Sequence, residues 1–258
     1  MQKQTALFVS LILILLAGAP QATHAEQATF ERWRQADPQT QAFALALARR
    51  AFDAYILRRE VIEPPKTMPA LFQSRVAVFV SAMRFGAPRC CMGTLYPTQP
   101  NAAEEIIANA VAAAGRDHRF PPIPPEKRKQ LTLIVSVLSP PVPLSASGLA
   151  SLDPTRDGLV VQNGDRSGVV LSGETGTVAN MVQWGRTRAG AKANSAVQFF
   201  RIQSVRFVEA RNAGGIKPPA TQNSRPSDGG TCDIRFFLRP KDARSSLPVV
   251  LHPRRLTP

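Results

Sequence analysis

Pro88-Arg89-Cys90-Cys91-Met92-Gly93 is the stretch that decides the fold of this chain. It follows an apolar run and a short break containing glycine and proline, a pattern that predicts two antiparallel strands, residues 76–83 and 89–95, joined as a hairpin. Side chains alternate between the faces of a strand, so we expect Cys90 and Cys91 to point in opposite directions. One would be packed and the other presented at a candidate site.

Three helices are predicted around this hairpin. Asp37-Pro38 combines a capping side chain with a proline at the first helical position, and apolar residues then recur every fourth position over residues 43–55. A capping-box pattern at residues 101–104 opens an apolar stripe that closes at Gly115. A third, weaker apolar repeat covers residues 178–185.

The remaining apolar segments predict strands. A tight turn at Asn163-Gly164 joins two of them as a second hairpin, because this dipeptide tolerates positive backbone angles. The predicted strands cover residues 131–137, 158–161, 168–171 and 200–207. Strands joined by hairpins, with interspersed helices, indicate an α+β fold with a mainly antiparallel sheet and about three packed helices.

The pattern of residues 1–25 predicts a signal peptide. Lys3 supplies the positive charge, an apolar run follows, and Thr23-His24-Ala25 offers the small residues that cleavage requires. An uncleaved anchor is the alternative, but the run is shorter than the ~20 residues of a membrane-spanning helix. We predict cleavage after Ala25 and a periplasmic or secreted protein, with no transmembrane helix in the mature chain and a short leader at residues 26–36.

The carboxy-terminal segment, residues 211–258, differs in composition from the predicted domain at residues 37–210. It contains seven prolines, nine Lys or Arg residues and two glycine pairs, which disfavours an independent core. We predict a mobile, largely disordered tail, within which residues 234–238 are a candidate for a short edge strand.

The chain is basic, with a formal net charge of +14. Such a charge favours acidic partners, including nucleic acid, anionic lipid headgroups and cell-wall polymers. Its positive residues are scattered and form no dense run interleaved with aromatic side chains, so solubility is the favoured explanation and nucleic-acid binding is disfavoured.

The inventory of catalytic and metal-binding residues is small. After cleavage the histidines are His118 and His252, and no two cysteines have the two-residue spacing of a zinc site. The segment Gly173-Glu174-Thr175-Gly176 lacks the lysine and the spacing of a phosphate-binding loop. The sequence therefore predicts no metal and no cofactor.

Cys91 is the candidate nucleophile. A neighbouring cation lowers the pKa of a thiol, and Arg89 and Cys91 share a face if the strand is straight. His118 is a candidate base for a Cys-His pair. Burial as a structural cysteine is the commoner outcome for such a residue.

Taken together, these segments resemble the AMMECR domain family, which includes protein A of the bacterial AmmeMemoRadiSam set, from about Leu45 to Glu209. The family motif Leu-Arg-Gly-Cys-Ile-Gly is matched by residues 88–93, so that Arg89, Cys91 and Gly93 occupy characteristic positions, while Cys90 replaces a glycine. Supporting matches are Asp117-His118-Arg119-Phe120-Pro121, Ser136-Val137-Leu138-Ser139-Pro140, Asp157-Gly158-Leu159-Val160-Val161 and Ala189-Gly190. The resemblance implies a compact α+β fold with the motif near a groove, and no established biochemical activity.

Two cysteines lie outside the family pattern, Cys90 and Cys232. Because an oxidising compartment favours pairing of thiols that meet, we predict a disulfide between these two that ties the tail to the motif hairpin. Three unpaired thiols, or a disulfide at Cys91 instead, are the alternatives.

We therefore expect an exported AMMECR-like binding module in which Arg89, Cys91 and Gly93 bind a small anionic ligand or an acidic protein segment. A thiol-dependent enzyme that uses Cys91 is the first alternative. Nucleic-acid binding through the basic surface and tail is the second.

Overall fold

The computed structural model describes residues 24–210. The predicted signal peptide up to residue 23, and the tail with residues 234–238, lie outside the described residues. Within them the α-helices are α1 (His24–Arg34), α2 (Pro38–Arg58), α3 (Ala102–Gly115), the short α4 (Ala146–Leu149) and α5 (Val178–Arg188). None of the helices in this range is long and apolar enough to span a membrane.

The predicted helix starts are confirmed. Asp37 caps α2 by accepting a hydrogen bond from the Thr40 amide (2.8 Å), and this bond holds the pKa of Asp37 below its usual value. Asn101 accepts from the Glu104 amide (3.0 Å) and donates to the Glu104 carboxylate (2.8 Å) at the start of α3. Short polar side chains therefore fix where both long helices begin.

The strands form one antiparallel sheet. Six of them follow one another in the order β2-β1-β3-β7-β5-β6, and the short β4 pairs with β7 beside this path. Their bounds are β1 (Ala77–Arg84), β2 (Ala87–Gly93), β3 (Thr132–Leu138), β4 (Val142–Leu144), β5 (Asp157–Asn163), β6 (Arg166–Val170) and β7 (Gln198–Val208). The predicted α+β class and antiparallel sheet are confirmed.

The long strand β7 joins the two halves of this sheet, which curls like a half-barrel. Its residues 204–208 pair with β3, and residues 198–203 pair with β5. A central cluster unites Phe79 on one half with Val160 on the other. A second cluster packs β1 and β3 against α1, α2 and α3, and a third packs β5 and β6 against α5.

Helix α1 covers most of the predicted leader and also residues 24 and 25, the last two residues of the predicted signal peptide. Phe30 and Trp33 are fully buried, and the Trp33 ring meets Phe72 edge to face at 5.0 Å while its Nε1 donates to Ser74 Oγ at 3.3 Å. The segment is short and holds only two large apolar residues, so the periodicity that indicates a helix is weak. The folded unit therefore begins before residue 37.

Candidate functional site

The motif strand β2 is an edge strand that starts from a tight turn. Phe85 and Gly86 adopt positive φ angles of 52° and 82° between β1 and β2. Ala82 then pairs with Cys90 and Met83 with Pro88, which leaves Arg89 as an extra residue in β2. This irregularity is a β-bulge, so the strict alternation that would place Arg89 and Cys91 on one face does not hold.

Cys90 and Cys91 do point to opposite faces of the sheet. Cys90 packs in the cluster covered by helices, with Val80 and Ala82, and Cys91 packs in the central cluster with Phe79. Their exposures are only 1% and 4%. The expectation that one of them is presented at the surface is therefore wrong.

Cys90 carries a free thiol. Burial raises its pKa to about 12, and the negative charge of Asp117 acts in the same direction. The thiol is therefore protonated and unreactive at neutral pH. The predicted disulfide at Cys90 is corrected by this finding, because the side chain is enclosed in the helix-covered cluster; its predicted partner, Cys232, lies outside the described residues.

Cys91 is instead the disulfide-bonded cysteine. Its sulfur also accepts a hydrogen bond from the Ser81 hydroxyl (3.1 Å), which lies directly across the strand pair. A sulfur held in a disulfide is not a thiolate nucleophile, and His118 is exposed and makes no hydrogen bond or ion pair with described residues. The structure therefore does not bring together the candidate Cys-His pair.

Asp117 and Arg119 bind the outer backbone edge of β2 at Cys91. The Cys91 amide donates to Asp117 Oδ2 (2.8 Å), and Arg119 Nη2 donates to the Cys91 carbonyl (2.8 Å). The two side chains also pair with each other, with Arg119 Nε 2.6 Å from Asp117 Oδ1. A carboxylate and a guanidinium thus supply the acceptor and donor that a neighbouring strand would provide, and they protect this edge from pairing. We call this pair the edge clamp.

Arginine and phenylalanine side chains cluster beside the clamp and at the hairpin turn. The guanidinium carbons of Arg89 and Arg119 lie 6.0 and 5.4 Å from the centroid of the Phe120 ring. At the turn, Arg84 lies 5.1 Å from the ring centroid of Phe85, which is 75% exposed. Arg89, Arg119 and Phe120 are called the arginine–phenylalanine patch.

The two arginines that share the Phe120 ring differ in their charge partners. Arg119 is neutralised by Asp117, whose side chain is only 1% exposed. Arg89 is half-buried and forms no ion pair with any carboxylate of the described residues. Arg89 is therefore a cation that is positioned beside an aromatic ring and whose charge is not compensated within the described fold.

Gly93, the third motif residue, serves the packing of the sheet. A Cβ atom placed there would lie 2.3 Å from Phe79 Cγ and 2.6 Å from the Val78 carbonyl oxygen. Only glycine fits at this close approach, and the residue is buried.

Glu105 was not predicted, although it organises the loop that follows the motif. The residue is fully buried in α3, and its Oε2 accepts the amides of Thr98 and Gln99, each at 2.7 Å. Oε1 accepts from the Thr94 hydroxyl (2.6 Å) and from Asn109 Nδ2 (3.1 Å). An acidic residue directly before the apolar pair Ile106-Ile107 was the available sequence signal.

The rest of the described fold offers no metal site, and it has a cavity away from the motif. Within residues 24–210, no group of three or more His, Cys, Asp or Glu side chains is arranged to hold a metal ion. A cavity between α1 and β7 is lined by His24, Gln27, Ser139, Val142, Arg201, Ile202 and Gln203, and thus contains no motif residue.

Comparison with known proteins agrees with this architecture. The AMMECR1 family profile matches residues 45–209, and the chain belongs to this family. A protein of Thermotoga maritima is 36% identical over 163 residues, which cover 61% of this chain and 92% of that protein. One from Thermococcus gammatolerans is 39% identical over 137 residues, covering 50% of this chain and 66% of that protein.

The fold is also similar to a solved structure. The crystal structure of the uncharacterized protein PH0010 from Pyrococcus horikoshii superposes with a TM-score of 0.60 at 28% identity, covering 70% of this chain and 97% of that one.

Proposed function

We propose that this AMMECR1-family protein is an exported binding module whose arginine–phenylalanine patch holds a small anionic ligand or an acidic partner segment. The observation that carries the proposal is the state of Arg89. The residue is half-buried, and its guanidinium lies near the Phe120 ring and forms no ion pair with a carboxylate of the described residues.

A positioned arginine is well suited to bind anions. The planar guanidinium offers donors that match a carboxylate or phosphate with two parallel hydrogen bonds. Contact with Phe120 restricts the side chain before a ligand arrives, so less conformational entropy is lost on binding. The neighbouring carboxylate of Asp117 does not compete for Arg89, because Arg119 and the Cys91 amide already engage it.

Cys91 and Gly93 support this site through the backbone of β2. The edge clamp binds the backbone of Cys91 and so fixes strand β2, which also carries Arg89. Gly93 allows Phe79 to pack closely against the same strand. Their proposed role is positioning, whereas Arg89 makes the contact with the anion.

Export is supported by three features of the sequence that are typical of a signal peptide: the positive charge of Lys3, the apolar run after it, and the small residues of Thr23-His24-Ala25. Cleavage after Ala25 would retain Phe30 and Trp33, the buried side chains of α1. The mature chain would thus keep its core. Mass spectrometry of the protein from the producing cell tests this proposal, which fails if the intact amino terminus is found.

Titration with inorganic phosphate and citrate by isothermal calorimetry tests the anion site. We expect saturable binding that Arg89→Ala weakens about tenfold or more, as loss of a charged hydrogen-bonding partner predicts. Arg206→Ala, at an exposed position on β7, is the matched control and should bind like the wild type. Equal binding by wild type and Arg89→Ala would exclude Arg89 from the site.

A further inference from the structure

The turn of the motif hairpin presents a phenylalanine in an unusual conformation. Phe85 has a φ of 52° and is 75% exposed. Positive φ is unfavourable for a bulky residue, and glycine or asparagine would form the same turn with less strain. Since so little of the ring is buried, packing within the fold does not explain a phenylalanine at this position.

Positive charge lies beside this ring. The Arg84 guanidinium lies 5.1 Å from the ring centroid, and Arg84 Nε is buried without a hydrogen-bond partner among the described residues. Arg89 follows the turn, so its Cα lies within about 14 Å of that of Phe85 at the rise of an extended strand. An exposed apolar ring is thus presented at one end of the sheet, with one uncompensated cation, Arg84, beside it and a second, Arg89, four residues further along the chain.

We propose that this turn is a docking surface for an acidic segment of a partner protein that carries an apolar side chain. The apolar side chain packs on Phe85, while flanking carboxylates pair with Arg84 and Arg89. This inference rests on the proposed function, because both require Arg89, and it specifies the class of ligand.

Charge complementarity selects this occupant. A second copy of the chain would bring a formal net charge of +14 against the same cationic patch, which disfavours self-association through it. A small anion alone would use Arg89 but would gain nothing from the exposed ring. A segment with both carboxylates and an apolar side chain uses the ring and the cations together.

Fluorescence anisotropy with a labelled glutamate-rich peptide that has one central leucine tests the proposal. The wild-type protein should bind it, and replacement of the leucine by serine should weaken binding. Phe85→Gly removes the ring and the unfavourable φ together, so it should keep the fold and weaken peptide binding about tenfold, as loss of one apolar contact predicts. Val142→Ala, at a 39% exposed residue on β4, is the control and should bind like the wild type.

Phosphate titration of the same variants separates this inference from the proposed function. Phosphate binding should depend on Arg89 and be unchanged in Phe85→Gly. Equal peptide binding by wild type and Phe85→Gly overturns the docking surface, even if phosphate still requires Arg89. If Arg89→Ala still binds both phosphate and the peptide like the wild type, the proposed function is overturned. The inference is also overturned if the protein does not bind the peptide but binds oligothymidylate or phosphatidylglycerol vesicles in a way that requires Phe85.

Discussion

Replacement of Asp117 by alanine should destabilise the fold strongly, because its carboxylate is buried and has two partners. The variant leaves the Cys91 amide without its acceptor, 2.8 Å away in the wild type, and leaves Arg119 without its counter-charge. Removing one partner of a buried ion pair costs about 3–5 kcal/mol. The Arg119 side chain is 17% exposed and keeps its bond to the Cys91 carbonyl, so we expect the lower end, about 3 kcal/mol.

Urea and thermal unfolding, followed by tryptophan fluorescence and circular dichroism, measure this loss. For a domain of this size, about 3 kcal/mol corresponds to a Tm decrease of roughly 6–12 °C. Asp117→Asn keeps an acceptor for the Cys91 amide but loses the charge, so its Tm should lie between those of the wild type and Asp117→Ala.

Asp53→Ala is the matched control. Asp53 also faces two arginines, at 3.4 Å from Arg49 and 3.8 Å from Arg128, but its side chain is 28% exposed. Its removal should cost less than about 1 kcal/mol. If Asp117→Ala and Asp53→Ala unfold at the same urea concentration with equal slopes, the clamp does not stabilise β2 as argued.

Further predictions concern the motif strand. Gly93→Ala should cost about 1–3 kcal/mol or more through overpacking against Phe79, whereas Gly176→Ala, with no atom within 4 Å of the added Cβ, should leave the unfolding free energy nearly unchanged. Because burial raises the pKa of Cys90 to about 12, its thiol should resist iodoacetamide at pH 8 until the protein is unfolded. As pH rises, the thiol ionises in the unfolded chain before it ionises in the folded one. The contribution of Cys90 to the free energy of unfolding is therefore full below about pH 8.5 and declines as pH rises towards 12. Rapid alkylation of native Cys90 would contradict this environment. Non-reducing peptide mapping should find a disulfide that Cys91→Ser abolishes and Cys90→Ser retains, and the reverse result would restore the pairing first predicted.

The sequence predicted those parts of the fold that depend on local signals. The cap and proline at residues 37–38 identify the start of α2, and the Asn163-Gly164 turn, with Gly164 at a φ of 58°, joins β5 and β6 as expected. The opposite orientations of Cys90 and Cys91 followed from strand geometry alone. Each of these conclusions needs only neighbouring residues and the period of a helix or strand.

The candidate site was harder to predict because its contacts join distant segments. The bulge at Arg89 breaks the alternation assumed for a straight strand, and Pro88 was its local signal, since proline within a sheet favours edges and bulges. Burial of Cys91 depends on the second half of the sheet folding over it, which no local pattern contains. Asp117 was visible only as part of a family match, because its contact with Cys91 spans 26 positions of sequence.

The edge clamp connects the structural and binding roles of the motif. Arg119 donates to the Cys91 carbonyl and also lies near the ring that Arg89 shares, so one side chain links the edge of β2 to the proposed anion site. Because Asp117 neutralises Arg119, the remaining uncompensated charge at this ring is that of Arg89. Loss of Asp117 would therefore leave two uncompensated cations beside Phe120. An anion should then bind more tightly to the folded Asp117→Asn variant than to the wild type, even though that variant is less stable. Only a clamp that both orders the site and sets its charge predicts that anion affinity rises while stability falls.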